Sequence, residues 1–142
     1  MKCVSLIVFA VLTLLAAQTK AATTAFDGTW SVTQDTREFK NPDGSVARAW
    51  TQHFFATVKN GVLHGERGTR GAPGWFEFNG NIDANGMANL SANGVTREEK
   101  WNKGPTHAGT PYEYQVTVQF KVRNGSGKST GPRIRIFTFV KE

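Results

Sequence analysis

YEYQVTVQFKV, residues 112–122, alternates without interruption. Tyr112, Tyr114, Val116, Val118, Phe120 and Val122 share one side of an extended chain, and Glu113, Gln115, Thr117, Gln119 and Lys121 share the other. Successive side chains of a strand point to opposite faces, so this period of two marks a strand with one face on a core and one in water. A helix would need apolar residues three and four apart.

Working upstream, the same period recurs between clusters of Gly, Asn, Asp and Pro. Residues 28–33 place Trp30 and Val32 on one face. NPDG at 41–44 is a turn, with Pro42 fixing φ and Gly44 accepting a positive one. A long strand is expected over 46–59, with Trp50, Phe54, Ala56 and Val58 on one side. Asn60-Gly61 suits a type I′ hairpin into 62–67. After a breaker region at 68–74, WFEFNGNID sets Phe76, Phe78 and Ile82 against Glu77, Asn79 and Asp83. Ala84-Asn85-Gly86 then turns into a strand with Ala88, Leu90 and Ala92 inward. Residues 94–111 carry Trp101 and mixed charge with no period, as a long functional or mobile connection would.

Downstream, PRIRIFTFVKE at 132–142 begins with Ile134 and Ile136 alternating with Arg133 and Arg135, but Phe137 and Phe139 then fall on the arginine face. Either a bulge shifts the phase or both faces are covered. The strands and short turns predict an all-β antiparallel meander barrel of seven to eight strands, with a β-sandwich as the alternative.

NGSGKST at 124–130 reads like a phosphate loop, but the first loop glycine is replaced by Val122. Such a loop follows a buried parallel strand and opens a helix that receives the phosphates. Here the preceding strand is half-exposed, and Pro132 and another strand follow. The stretch is read as a flexible hairpin connection, and no ATP binding is expected.

The chain opens MKCVSLIVFAVLTLLAAQTKAA: a lysine, an apolar run from Cys3 to Ala17, then small and polar residues. That is the form of an export signal, so residues 1–22 are expected to be removed and 23–142 to form one all-β domain, periplasmic or secreted. No transmembrane segment is expected after removal. The only cysteine, Cys3, lies in the signal, so no disulfide or cysteine chemistry is expected of the domain. The chain's net charge of +6 falls when Lys2 and Lys20 leave with the signal. The remaining excess favours acidic partners without marking a specific nucleic-acid module.

Candidate site residues are few. His53, His64 and Glu66 fall on neighbouring strands, yet their spacing matches no metal signature, and neither metal nor cofactor is expected. Glu66, Glu77 and Asp83 could pair as hydrolytic carboxylates, but they alternate as solvated strand residues do, and no nucleophile motif is present. Trp75 opposes the Phe76/Phe78 face and Trp101 sits in the long connection. Both are candidates to hold a sugar or apolar ligand, or to fold back as lids. Lys121, Arg123, Arg133 and Arg135 would form one basic stripe if the strands around 112–122 and 133–141 paired.

FDGTWSV at 26–32, NGVLHGERG, WFEFNGNIDANG and the PRIRIFTFV ending resemble small exported proteins of rhizobia-like bacteria, a likeness that brings no catalytic or binding residues with it. Gly28-Thr29-Trp30 also resembles the Gly-x-Trp opening of lipocalin-like and avidin-like barrels, which implies a tryptophan closing one barrel end. The expectation is a non-enzymatic binding or interaction domain of the cell envelope or periplasm, engaging a glycan, lipid or anionic polymer. A small hydrolase and a purely structural exported domain are the alternatives.

Overall fold

The alternation of residues 112–120 is one stave of a closed barrel. The computed structural model describes residues 23–97 and 108–142, so the segment expected to be an export signal, Trp101 and His107 lie outside the described residues. Ten strands are described: β1 (Gly28–Thr36), β2 (Phe39–Lys40), β3 (Val46–Ala47), β4 (Trp50–Lys59), β5 (Val62–Arg67), β6 (Phe76–Asn81), β7 (Met87–Val95), β8 (Pro111–Phe120), β9 (Asn124–Ser129) and β10 (Arg135–Lys141). The ring runs β1-β10-β9-β8-β7-β6-β5-β4 and closes on β1, while β2 and β3 pair separately between β1 and β4. All neighbours are antiparallel. This is the predicted barrel, with eight strands. Closure leaves no unpaired edge in the ring. No helix among the described residues is long and apolar enough to cross a membrane.

An eight-stranded barrel is just wide enough for side chains to fill. Aromatic rings do so here. Phe78 stacks on Phe137 at 5.1 Å between centroids and on Phe139 at 6.1 Å, and Phe54 meets Phe76 edge-on at 5.4 Å. At the lower end, where β1 begins, fully buried Trp30 packs its ring edge-on against Phe120 at 5.2 Å. Its indole N–H donates to the Phe26 carbonyl at 2.9 Å. Each such burial contributes about 2–3 kcal/mol. The Asn60-Gly61 turn has the positive φ values a type I′ hairpin demands, 52° and 73°. Asp27 accepts both turn N–H groups, at 2.8 and 3.0 Å.

Three expectations are corrected. The strand over 46–59 is broken into β3 and β4, and Trp50, at the last rung against Thr36, is 38% exposed because the wall ends there. Val122 is exposed because β8 ends at Phe120 and the Lys121 N–H bonds to the Asn124 carbonyl as the chain reverses. Residues 124–129 are not a connection but β9, paired to β8 and β10. Of the two alternatives for residues 132–142, a bulge is excluded, since β10 keeps an unbroken register with β1 and β9. Phe137 and Phe139 are inside, in phase with half-buried Arg135, so the arginine face is the inner face.

Candidate functional site

Toward the upper end, where β1 stops and β10 starts, the interior changes character. On β1, Trp30 and Val32 give way to Gln34 and Thr36, and on β4 the series Val58, Ala56, Phe54 ends in Gln52. Leu63 and Gly65 lead to Arg67 on β5, and Val118 and Val116 lead to Tyr114 and Tyr112 on β8. β9 ends in buried Ser129, and β10 begins with Arg135. Gln34 is 1% exposed and Gln52 8%. Gln52 donates its amide N–H to Gln34 Oε1 at 2.7 Å, and Gln34 donates to Thr36 Oγ1 at 3.1 Å. Gln52 Oε1 is buried without a hydrogen-bond partner among the described residues, as is Arg67 Nε. Buried polar atoms are normally satisfied, so two orphans at one barrel end need a reason.

Arginines and tyrosines surround this end. Tyr112 and Tyr114 stack at 6.1 Å, and the Arg135 guanidinium lies 4.1 Å from the Tyr114 ring centroid. Arg135 also donates to the Arg133 carbonyl at 3.3 Å, and Arg133 donates to the Arg48 carbonyl at 2.8 Å. Arg97 lies across Gly74, with its Cγ and Nε each 3.0 Å from where a Cβ would stand. Burial pushes the Tyr114 phenol well above the ordinary tyrosine range, partly offset by Arg135. Tyr112 is raised in the same way, against the pull of Arg135, Arg67 and Arg97. Arg67 is held below the usual guanidinium value by burial and then by repulsion from Arg97, and Arg133 by burial and then by Arg135. The ion pairs among the described residues are His64–Glu66, Arg70–Glu66 and Arg70–Glu77, so no carboxylate among the described residues pairs with Arg67, Arg97, Arg133 or Arg135.

The expected basic stripe is not continuous. β9 separates β8 from β10, leaving Lys121 and Arg123 exposed at the lower β8–β9 turn and Arg133 and Arg135 at the upper end. Trp75 stands on the upper rim, where it and Tyr112 line an open groove of about 590 Å3 together with Glu77, Asn93 and Glu113. It is pinned there: its N–H donates to Glu66 Oε1 at 2.7 Å, and Arg70 lies 5.0 Å over its ring. Asp83 binds the backbone N–H groups of Asn85 and Met87 and so shapes a turn. His53 bonds to Thr33 at 3.0 Å and His64 to Asn79 at 2.5 Å. Among the described residues, no group of three His, Cys, Asp or Glu side chains is placed to hold a metal ion.

Gln34, Gln52, Arg67, Arg97, Tyr112 and Tyr114 were not singled out by sequence reasoning as site residues. Gln34, Gln52 and Arg67 carried a usable signal: each is polar yet in phase with inward apolar neighbours. No protein-family model, curated protein or solved structure matches the chain.

Proposed function

We propose that the chain is an exported, non-enzymatic binding domain of the cell envelope or periplasm, and that its ligand enters the upper mouth of the barrel. One observation carries this reading: the interior is packed with rings below and lined by buried, incompletely paired polar groups above. An unpaired buried polar atom costs about 1–3 kcal/mol. A barrel serving only as structure would be more stable with aliphatic side chains there. Local departures from good packing of this kind gather at functional sites.

Several features support the rest. The opening MKCVSLIVFAVLTLLAAQTKAA has the form of an export signal. The outward residues Glu113, Gln115, Thr117 and Gln119 of β8 are exposed while its valines are buried, the inverse of a barrel facing lipid. Glu66 and Glu77 share Arg70 as ion-pair partner on the outer wall, which favours a structural role for both over a hydrolytic one. An arginine-rich rim suits an acidic envelope component, whether glycan, lipid or anionic polymer.

Tyr112 and Tyr114 are the chain's only tyrosines, so tyrosine signals report on the mouth alone. A screen of envelope glycans, lipids and anionic polymers against purified protein, read by tyrosine NMR shifts and melting temperature, should yield ligands that move both signals. Turnover of esterase or glycosidase substrates that disappears in Glu66→Gln would replace this reading with an enzymatic one.

A further inference from the structure

Four arginines are gathered at the upper end of the barrel. Arg67 ends β5, Arg97 follows β7, Arg133 precedes β10 and Arg135 opens it. The two tyrosines of β8 stand between these groups in the ring order. The Tyr112 phenol lies in the field of Arg135, Arg67 and Arg97, and that of Tyr114 in the field of Arg135 and Arg133. Arg67 and Arg97 repel each other, as do Arg133 and Arg135. Like charges held this close are costly in a partly desolvated site, and no ion pair among the described residues relieves them.

Two of the groups are also held in place. Arg135 lies against the Tyr114 ring, and Arg133 is anchored on the carbonyls of Arg48 and Arg37 at 2.8 and 3.5 Å. These contacts use only part of either five-donor guanidinium, and the buried Arg67 Nε–H has no acceptor among the described residues. Fixed, fork-shaped donors are the chemistry that receives carboxylate, phosphate and sulfate oxygens.

We propose that the upper mouth is an oxyanion site, in which Arg67, Arg97, Arg133 and Arg135 grip a phosphate, sulfate or carboxylate group beside Tyr112 and Tyr114. This rests on the reading of the mouth as the binding site and names the chemistry it takes. Arginines gathered at one barrel end suit a compact group reaching inward. A long polyanion would need a basic track along the wall, and β9 interrupts the one the sequence suggested.

The test uses purified protein with isotope-labelled tyrosine, titrated with pyrophosphate, inorganic phosphate, citrate and, as a neutral control, glucose. Vesicles of phosphatidic acid are compared with vesicles of phosphatidylcholine. Oxyanions should shift both tyrosine signals saturably. Arg97→Gln and Arg135→Gln should each weaken binding about tenfold or more, the worth of one charge-assisted contact, while Lys121→Ala at the lower end leaves it unchanged. Arg97 is exposed, so its variant carries the test should Arg135→Gln fail to fold. Saturation by soluble oxyanions would name a free ligand. A response to phosphatidic acid vesicles alone would support the same site with a lipid headgroup as its source. Equal weakening in Lys121→Ala would reduce the effect to diffuse charge and overturn the proposal. Tyrosine shifts with glucose but with no oxyanion would overturn it while sparing the binding reading. Silence from every ligand would sink both.

Discussion

Glu66 and Glu77 stand directly opposite each other on β5 and β6, and the guanidinium of Arg70 pairs with both. Like charges facing across a sheet are destabilising, so this rung depends on the arginine that bridges it. Arg70 also covers the Trp75 ring, whose N–H is bound to Glu66. Arg70→Ala should therefore lower stability by about 1 kcal/mol in urea denaturation, the upper end for exposed pairs. Adding Glu77→Gln to that variant should recover part of the loss. An unchanged midpoint in Arg70→Ala would mean the two carboxylates are already well screened by water.

The glycines of β9 make a sharper prediction. A Cβ at Gly127 would stand 2.5 Å from Val118 Cγ2 and 2.6 Å from the Thr117 carbonyl oxygen. Its strand conformation is open to any residue, so the obstacle is space alone. Gly127→Ala should destabilise by about 1–3 kcal/mol, as overpacking does. Lys128→Ala, one residue on and exposed, should stay within about 0.5 kcal/mol. Equal melting temperatures for the two variants would show that the wall yields at this point.

The same glycines explain what the sequence concealed. β6, β7 and β8 were legible because their inward positions are mostly apolar, β1 because Trp30 and Val32 open it, and β5 because the turn chemistry of Asn60-Gly61 before it is local. The inward positions of β9 are Gly125, Gly127 and Ser129, since Phe120 and Val118 of the neighbouring strand fill the space beside the two glycines. With no apolar residues to alternate, the strand reads as a turn. The site was hidden for a different reason. Gln34, Gln52 and Arg67 betray themselves by phase, but the approach of Arg135 to Tyr114 depends on β10 closing around β9 and on the depth at which each strand ends. That is a long-range consequence of register, absent from any local pattern.

At the lower end, Trp30 joins packing to a single polar contact. Trp30→Ala should cost about 3–5 kcal/mol, the range for deleting a large buried ring. Trp30→Phe keeps an aromatic plug but removes the N–H that the Phe26 carbonyl accepts. It should fall between the two, with a loss of about 1–3 kcal/mol. If Trp30→Phe matched Trp30→Ala in urea denaturation, the indole hydrogen bond rather than the aromatic plug would dominate.

Alkaline pH should act through the mouth. Burial keeps the Tyr112 and Tyr114 phenols protonated beyond the ordinary tyrosine range. The unfolded chain gives up those protons once pH passes about 10, whereas the folded chain retains them. Unfolding then releases protons, so stability is undiminished by this effect below that pH and declines above it until the folded phenols ionise. Ultraviolet titration should show little tyrosinate in the folded protein where free tyrosine is half-ionised. Full ionisation of both residues near the ordinary tyrosine pKa, with the fold intact by circular dichroism, would refute the buried placement.

The buried amides of Gln34 and Gln52 place stability and binding in opposition. Gln52 donates to Gln34, and Gln34 to Thr36, yet Gln52 Oε1 has no partner among the described residues. Removing one partner strands the other, at a cost of about 1–3 kcal/mol, whereas replacing both with apolar groups of similar shape can be neutral or stabilising. Gln34→Met alone should therefore lower the melting temperature, because it leaves the Gln52 amide without its acceptor. Gln34→Met with Gln52→Met should melt at or above the parent protein, having removed the orphaned oxygen as well. If the amides exist for a ligand, the doubly substituted barrel should lose the tyrosine shifts that ligands induce, despite its greater stability. A double variant less stable than either single one would show that the amides support the fold itself, and the polar mouth would then need no ligand to explain it.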